Sequence, residues 1–537
     1  MKRLICLTYF LVLSLSYAHA QDAQPPMMGW NSWNAYMVDI SDSIIMNAAD
    51  LMIAKGLKDA GYDHVNIDDG FFGGRDSTGR LMPHPTRFPN GMKHVPEYIH
   101  RLGMKAGIYS DAGHNTCGSN YNKDPFGKGV GLWRHDAVDA ERYFNDWGFD
   151  FIKIDYCGAS ALGLDEKSRY ESIRQVIDSV AHKHIDINVC RWAYPGTWVN
   201  HVGSSWRTSH DIRPNWKSIK EMVELNLYLS AYASYGHYND MDMMVVGYNG
   251  GKDSAFPEDS YARDFGLTYQ EEEAHFALWC IMSSPLLIGC DLTYIPEETL
   301  KIITNKELIA VNQDRLGLQA HVIQHIGDSY VLAKDLMTHR GKTRAIALYN
   351  PSEHDCRFSV PATIMGFEGQ LKIRDLNKNE DLPDNNSIDM VLPPHSAKVL
   401  KVKGKRIEPD RYEAEWGYCP DYTAIRSSGV KYIPMEGASC GAVAMNIGAA
   451  PTNYLEWDDI YSRKGGKYSL TVRAFPTEST SFDVLVNGII HRVNINADCG
   501  ATAEPVIHIT LNSGENVIRL SGSETLPPVD YIKLERL

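Results

Sequence analysis

The chain has 537 residues, a length that predicts two to four domains at about 150 residues per domain. Hydrophobic residues make up 44% of the chain and charged residues 22%, which excludes collagen-like and disordered proteins. The formal net charge is -14 and no segment concentrates lysine and arginine, so nucleic acid is not an expected partner.

Residues 1–20 have the pattern of a secretory signal peptide. Lys2 and Arg3 precede an apolar run that ends at a small-residue cleavage site before Gln21. The run of about fifteen residues is too short to cross a bilayer, and no later stretch is long enough. We therefore expect cleavage near Ala20 and a secreted or periplasmic protein without a membrane span.

Ten cysteines are present, one of them in the signal segment. None of their spacings is a Cys-x-x-Cys pair, which argues against a zinc ribbon and against a dense disulfide framework. We expect one or two disulfides and several buried thiols.

Residues 24–315 alternate short apolar runs with longer helical patterns, which predicts a parallel sheet. The candidate strands are residues 27–30, 64–68, 104–110, 151–155, 186–190, 204–207, 236–240 and 285–289, with helical stretches such as 43–60 and 270–282 between them. Eight strands over this length favour an α/β fold of the (β/α)8, or TIM barrel, type.

The pattern changes to antiparallel β structure after the barrel. Residues 316–404 contain alternating segments that predict a small antiparallel β-sandwich domain, namely 329–334, 344–349 and 396–402. Residues 408–537 show the same pattern at 467–474, 482–486, 504–509 and 516–520. This last region is long enough for a β-sandwich of its own.

Acidic residues recur at the predicted carboxyl ends of the barrel strands, where catalytic groups of such barrels lie. They are Asp68, Asp69, Asp155, Asp211, Asp240 and Asp242. A single strand-end aspartate often caps the next helix, but six from four strands indicate an acid cluster. With Lys153 and Arg207 to hold most members ionised, the cluster suits glycoside hydrolysis, which needs a nucleophile and a proton donor.

Six ordered motifs then carry a specific resemblance. They are residues 28–34 (MGWNSWN), 66–70 (NIDDG), 107–111 (GIYSD), 153–155 (KID), 205–207 (SWR) with Asp211, and 239–243 (NDMDM). Together they resemble glycoside hydrolase family 27, which contains retaining α-galactosidases and α-N-acetylgalactosaminidases. The resemblance covers residues 26 to about 403.

The resemblance implies a double-displacement reaction on terminal α-D-galactosides, with Asp155 as nucleophile, Asp211 as general acid/base and no catalytic cofactor. Asp68 and Asp69 would hold the sugar 4-OH and 6-OH. The full set of expected substrate-binding residues is Trp33, Asp68, Asp69, Tyr109, Lys153, Arg191, Trp192, Arg207 and Asp240. The family's bridge near the nucleophile implies a disulfide between Cys117 and Cys157.

Arg191 is the main departure from the family pattern. Galactosidases place a Glu at this position to contact the sugar 2-OH, and galactosaminidases place a Ser there. We expect Arg191 to narrow the pocket against an N-acetyl group and to be paired, because a buried unpaired guanidinium is costly. Its partner is expected to be Asp240 or Asp242, or else an acidic group on the natural substrate.

Residues 408–537 are similar to carbohydrate-binding modules of families 6 and 35, through motifs at 412–415 (YEAE), 465–470 (GGKYSL), 486–488 (VNG) and 529–532 (VDYI). The resemblance implies a glycan-binding β-sandwich with a structural Ca²⁺ held by Glu413, Glu415 and Asp530, since carboxylate oxygens suit that cation. We expect this region to fold alone and to be dispensable for hydrolysis of small substrates.

Three alternatives remain at this stage. The same fold could act on β-L-arabinopyranosides or on α-N-acetylgalactosaminides, and a protein of another class would bind glycans without catalysis. Family members that prefer arabinopyranosides lengthen one of the paired acids to Glu, whereas Asp68 and Asp69 are both short. A silent binding protein would be expected to lose Asp155 or Asp211, and both are present.

Overall fold

A computed structural model of the chain describes residues 23–247, 266–426, 429–496 and 502–537. The predicted signal peptide, residues 1–20, lies outside these ranges. Within them, no helix combines the length and the apolar character that a bilayer crossing requires.

The N-terminal region is a barrel of eight parallel strands, which confirms the predicted fold class. The strands lie in the order β10-β1-β2-β5-β6-β7-β8-β9, and a parallel bridge between Met244 and Ile288 joins the last strand's extension to the first. Their bounds are β1 Met28–Asn31, β2 His64–Asn66, β5 Lys105–Asp111, β6 Phe151–Asp155, β7 Asp186–Val189, β8 Ser205–Arg207, β9 Tyr238–Asp240 and β10 Leu286–Ile288. A hairpin, β3 Phe72–Arg75 and β4 Leu81–Pro83, follows β2.

Helices surround the barrel and alternate with its strands. The α-helices are Trp33–Tyr36, Asp42–Ala54, Leu57–Ala60, His94–Arg101, Cys117–Tyr121, Asp136–Ala140, Cys157–Ala161, Glu166–Val180, Trp216–Asn226, Tyr269–Ile281, Glu297–Ile303 and Lys306–Asn312. The predicted single helix at 43–60 is two helices, because Gly56 adopts a left-handed conformation (φ 74°) between them. The helix at Tyr269 begins with a capping box formed by Thr268 and Glu271.

Strands β11–β18 form a second, antiparallel unit, here called the central β unit. Their bounds are β11 His321–Ile326, β12 Ser329–Asp335, β13 Thr343–Asn350, β14 Cys356–Pro361, β15 Phe367–Asp375, β16 Glu380–Asn385, β17 Ser387–Leu392 and β18 Ser396–Arg406. Six of them form a sheet in the order β11-β12-β13-β18-β15-β16, and β14 pairs with β17. Alternate residues of these strands build the unit's own apolar core, as the period-2 pattern predicts.

Strands β19–β28 form a β-sandwich, here called the C-terminal unit. Their bounds are β19 Arg411–Glu413, β20 Lys431–Pro434, β21 Ala442–Met445, β22 Leu455–Ser462, β23 Gly466–Ala474, β24 Thr480–Val486, β25 Ile489–Ile495, β26 Val506–Leu511, β27 Gly514–Ser521 and β28 Val529–Arg536. One sheet has the order β20-β21-β28-β23-β26 with β19 beside β28, and the other has the order β22-β27-β24-β25. A separate apolar core fills the space between them.

The three units pack against one another. The barrel's apolar cluster continues into the central β unit through residues such as Ala345 and Val399, and into the C-terminal unit through Cys440. Tyr418, Tyr422 and Tyr432 of the C-terminal unit also pack against this cluster. The C-terminal unit therefore shares part of its buried surface with the barrel.

Candidate active site

The structure brings the predicted acidic cluster together at one end of the barrel. Asp155 ends β6, and Asp68, Asp211 and Lys153 are all near enough to influence its carboxyl group electrostatically. Arg207 of β8 forms ion pairs with Asp211 and Asp242. The ends of parallel strands thus place side chains that are far apart in sequence around one site.

Asp155 is buried, with 6% of its surface exposed. Its Oδ1 atom is buried and has no hydrogen-bond partner among the described residues, while its Oδ2 lies 3.3 Å from Cys117 Sγ. Burial raises the pKa of Asp155 to about 6, although Lys153 and the Cys190 thiol lower it. Asp155 is therefore largely ionised at neutral pH, with one oxygen free.

Asp211 has the opposite setting. Its side chain is 61% exposed, and its Oδ1 lies 3.4 Å from Arg207 Nη1. Arg207 itself is buried and makes a shorter pair, 2.8 Å, with Asp242. Solvent and the outer part of a bound molecule can therefore reach Asp211, whereas Asp155 lies at the base of the site.

Asp68 and Asp69 follow β2 and are almost fully buried. Asp68 Oδ2 accepts hydrogen bonds from Lys153 Nζ at 3.0 Å and from Asn31 Nδ2 at 3.1 Å. Asp69 accepts from the backbone N–H groups of Gly118 and Gly70, each at 2.8 Å. Burial raises the pKa of Asp69 to about 7 in spite of these bonds, so Asp69 has less compensating positive charge than Asp68, which pairs with Lys153.

Lys153 of β6 pairs with Asp68, which follows β2, two strands away in the barrel. Burial acts against its charge, but nearby carboxylates, Asp68 first, hold its pKa well above the usual value. Its Nζ also lies 5.7 Å from the centre of the Tyr109 ring, within cation–π range. Tyr109 is buried, and its hydroxyl accepts a hydrogen bond from the Cys117 backbone at 3.4 Å.

The disulfide implied by the family resemblance is present between Cys117 and Cys157. It connects the segment after β5 to the segment two residues beyond Asp155. Trp33 is half-buried just after β1, whereas Trp30 is fully buried and its indole donates to the Cys290 carbonyl at 2.9 Å. Of these two tryptophans, only Trp33 has surface to offer a ligand.

Arg191 is paired, but the predicted partner is wrong. Its Nε lies 2.5 Å from Oε2 of Glu166, at the start of a barrel helix, and its guanidinium lies over the rings of Tyr156 and Trp192. The expected partners are occupied elsewhere: Asp242 pairs with Arg207, and Asp240 accepts from Asn188 at 2.8 Å.

The predicted contact of Asp240 with substrate stays a prediction, and the structure shows two hydrogen bonds of this side chain within the barrel. Its second oxygen accepts from the Asp242 backbone at 2.9 Å, so both oxygens bond within the barrel. Asp240 lines the same cavity as Lys153 and Arg207, and it also supports Asp242, which pairs with Arg207. Asp242 adopts a left-handed backbone (φ 82°), a conformation uncommon for aspartate and typical of functional positions.

Four residues near the site were not among the predicted site residues: Asn31, Glu166, Cys190 and Asp242. Asn31 stands inside the first family motif and Asp242 was one of the strand-end acids, so both had a signal. No sequence signal indicates Glu166. It begins the helix before β7, whereas its partner Arg191 lies in the loop after β7. Cys190 follows β7. Its thiol lowers the pKa of Asp155, and its Sγ lies 3.9 Å from Arg207 Nη1.

A second carboxylate group lies in the C-terminal unit. Glu413, Glu415 and Cys440 have ligand atoms within 4.8 Å of one another. Both carboxylate oxygens of Glu415 are buried without a hydrogen-bond partner among the described residues. Asp530 lies alongside, and it accepts from Ser439 and from Arg473 Nη1, the latter at 2.8 Å.

Comparison with known proteins agrees with this geometry. The profile of the family described as Alpha galactosidase A matches residues 25–314, and the profile of the Alpha galactosidase C-terminal beta sandwich domain matches residues 327–402. Alpha-galactosidase 3 of Arabidopsis thaliana is 38% identical over 370 residues, which cover 68% of this chain and 78% of that protein.

Solved structures show the same relationship. Alpha-galactosidase I from Mortierella vinacea is 28% identical and has a TM-score of 0.63, with 72% of this chain and 98% of that chain covered. A β-L-arabinopyranosidase from Geobacillus stearothermophilus, solved with arabinose, is 26% identical with a TM-score of 0.62 over the same shares. The chain therefore belongs to the alpha-galactosidase family of glycoside hydrolases, family 27.

Proposed function

We propose that the protein is an exported retaining α-galactosidase in which Asp155 is the nucleophile and Asp211 the general acid/base. The observation that carries this proposal is the contrast between the two carboxyl groups. Asp155 is buried beside Lys153 with Oδ1 unpartnered among the described residues, whereas Asp211 is 61% exposed.

The proposed reaction has two displacements. Asp155 attacks the anomeric carbon while Asp211 donates a proton to the departing glycosidic oxygen, so the glycosidic bond breaks and a glycosyl ester of Asp155 forms. Asp211, now ionised, takes a proton from water, which attacks the anomeric carbon and releases Asp155. Arg207 contacts Asp211 and lies near Cys190, beside the nucleophile. Arg207 therefore helps to fix the relative positions of the two carboxyl groups.

Asp68 and Asp69 support galactose as the sugar. Both are short acids set back at the end of β2, and each is fixed by backbone or Lys153 donors. Two fixed carboxylates can accept from neighbouring hydroxyl groups, and their short side chains leave space for a C6 arm. The related arabinopyranosidase makes β-L-arabinopyranosides the second candidate substrates, and α-N-acetylgalactosaminides are the third.

A panel of nitrophenyl glycosides tests the proposal. The wild type is expected to hydrolyse the α-galactoside with the highest kcat/KM, above the β-L-arabinopyranoside and the α-N-acetylgalactosaminide. Asp155→Ala and Asp211→Ala should each lose most turnover, and azide should restore Asp211→Ala alone on an activated substrate. Asp389→Asn, a change at an exposed aspartate of the central β unit, is the control. An inverted anomeric configuration in the first-formed product would disprove the role of Asp155.

The C-terminal unit is proposed to hold a structural Ca²⁺ at Glu413 and Glu415, next to Asp530. The residues fit the ion, because Glu415 has two buried, unpartnered oxygens and carboxylates are the ligands that Ca²⁺ prefers. Burial raises the pKa of Glu413 to about 7 and that of Glu415 well above its usual value. Arg411 Nε lies 2.9 Å from Glu413 Oε1, and a bound cation would supply the positive charge that Glu415 lacks.

Calcium removal tests this site. CaCl₂ added to EGTA-treated protein is expected to raise Tm, and Glu415→Gln should abolish the rise. Glu524→Gln, at an exposed position of the same unit, should keep it. Equal responses of the two variants would show that the ion acts elsewhere.

We also propose that the C-terminal unit binds a glycan, as its resemblance to carbohydrate-binding modules suggests. A cavity of about 350 Å³ on the β22-β27-β24-β25 sheet supports this role, and Tyr454, Asp483, Ile490 and Arg519 line it. An aromatic ring with polar neighbours suits a sugar. Loss of retention on a galactan affinity gel in Tyr454→Ala would support this location.

Export is the remaining part of the proposal. The disulfide between Cys117 and Cys157 supports an oxidising compartment, since such bonds are rare in the cytosol. Mass analysis of the exported protein should find its N-terminus near Gln21.

A further inference from the structure

The loop after β7, residues 190–202, connects the active site to the C-terminal unit. At the start of this loop, the Cys190 thiol lowers the pKa of Asp155, and the Arg191 side chain pairs with Glu166. Trp192 has a left-handed backbone (φ 60°), which is unfavourable for a residue with a side chain and persists only where surrounding contacts impose it. The loop therefore needs external support.

The C-terminal unit supplies direct hydrogen bonds to this loop. Thr197 Oγ1 donates to the Pro420 carbonyl at 2.7 Å, and the Ala424 backbone donates to the Tyr194 carbonyl at 2.9 Å. The Thr423 hydroxyl also donates to the Tyr194 carbonyl, at 3.4 Å. The segment from Trp416 to Arg426, here called the docking segment, is thus bonded to the middle of the loop.

Aromatic packing reinforces the same contact. Tyr194 is fully buried, and its ring centre lies 5.4 Å from that of Tyr422 and 5.1 Å from that of Tyr232. On its other side, Tyr194 meets the edge of Trp206 at 6.4 Å, and Trp206 directly precedes Arg207. Tyr422 therefore covers a ring that contacts the neighbour of an active-site arginine.

A second row of rings leads from the same loop to the nucleophile. Trp198 stacks on Tyr170 at 5.8 Å, and Tyr170 stacks on Tyr156 at 5.8 Å. Tyr156 follows Asp155 in sequence and lies under the Arg191 guanidinium at 5.0 Å. A displacement of the loop would therefore reach the surroundings of both Asp155 and Arg207.

We propose that the docking segment is a structural part of the active site, with Tyr422 as a positioning residue that holds the loop of residues 190–202. The segment fixes Arg191 and Trp192 at the rim of the site without touching the reacting atoms. This proposal departs from the expectation that the C-terminal region is dispensable for hydrolysis, because the partly buried Tyr422 of that region packs against the apolar cluster of the barrel. The inference rests on the proposed function only for the reaction whose rate the loop affects. The contact between Tyr422 and the loop does not depend on it.

The test compares three single variants in the full chain. Tyr422→Ala removes the ring, Tyr422→Phe keeps it, and Phe475→Ala removes a ring that packs on Arg473 within the C-terminal unit. Hydrogen exchange of the backbone amides of residues 191–198 should become at least about tenfold faster in Tyr422→Ala. It should stay within about twofold of the wild type in the other two variants.

Kinetics on nitrophenyl α-galactoside provide the second readout. We expect kcat/KM of Tyr422→Ala to fall about tenfold, with recovery in Tyr422→Phe. In an Arg191→Ala background the same change should have less than a twofold effect, because residues acting through one another are not additive.

Three results would overturn the inference: unchanged exchange in Tyr422→Ala, faster exchange with unchanged kinetics, or an equal loss of kcat/KM in both backgrounds. A wild type that hydrolyses a different glycoside of the panel would disprove the proposed sugar, and the same variants would then be measured on that glycoside. A wild type that hydrolyses none would disprove the proposed function, while hydrogen exchange alone would still decide the role of Tyr422.

Discussion

Opposing effects set the ionisation of Asp155 at the scale of the single residue. Burial favours the neutral acid, and the charges of Asp68 and Asp211 act in the same direction, while Lys153 and Cys190 favour the carboxylate. The result is a pKa of about 6. As the nucleophile we propose, Asp155 would therefore be ionised and active at neutral pH and would lose activity in mild acid.

The pH dependence of kcat/KM follows from that value. In the free enzyme, kcat/KM should fall about tenfold per pH unit below pH 6, because in the proposed mechanism only ionised Asp155 can attack. Lys153→Met removes a charge that lowers this pKa, so the acid limb should move to higher pH. Profiles on nitrophenyl α-galactoside measure both effects. An acid limb that stays in place in Lys153→Met would contradict this account.

Close packing between elements fixes the position of Asp69. The helix Cys117–Tyr121 presents the Gly118 N–H to Asp69 Oδ2, and a Cβ atom on Gly118 would lie 2.6 Å from that oxygen. The second residue of this short helix must therefore be glycine if the carboxylate is to keep its place.

Gly118→Ala should displace Asp69, the proposed ligand of a sugar hydroxyl, and lower kcat/KM by at least about tenfold, since misplacement of a substrate-binding group by about 1 Å is costly. Gly148→Ala is the matched control. Gly148 has open space around it but a left-handed φ of 93°, so this variant should lose about 1–2 kcal/mol of stability and keep its activity. Similar kinetic losses in both variants would argue that the Gly118 effect is general.

The disulfide also joins two elements, because it bonds Cys117, the first residue of a helix, to Cys157, two residues after β6. Closing a loop of 40 residues should contribute roughly 4 kcal/mol through the entropy of the unfolded chain. We expect that loss of unfolding free energy in Cys117→Ser combined with Cys157→Ser, measured by urea titration. Cys356→Ser, at a half-buried free cysteine, should change it little.

At the scale of the whole molecule, sequence patterns predict the units better than the contacts between them. Eight strands and the strand-end acids follow from local hydrophobic runs and from the rule that parallel strands end at one face. The Arg191–Glu166 pair and the packing of Tyr422 on Tyr194 depend on how separate elements meet. No local pattern contains that information, so Arg191 was assigned the wrong partner.

Lys334 shows how such a contact between units affects stability. This lysine of β12 is buried against the barrel, where its Nζ donates to Ser283 Oγ at 2.6 Å and to the Cys280 carbonyl at 3.4 Å. Burial lowers its pKa to about 7. Between pH 7 and about 10 the unfolded chain therefore binds more protons than the folded protein, so the free energy of unfolding should rise with pH.

The expected slope from this one group is at most about 1.4 kcal/mol per pH unit in that window. Lys334→Met should remove this pH dependence of the free energy of unfolding. Relative to the wild type, the variant should gain most stability near pH 7, where the folded wild type has to bury a charge. Urea titrations of both proteins at pH 7, 8 and 9 measure the difference, with Lys372→Met, an exposed position in the same unit, as control. Parallel stability curves for the wild type and Lys334→Met would mean that Lys334 stays charged between the two units.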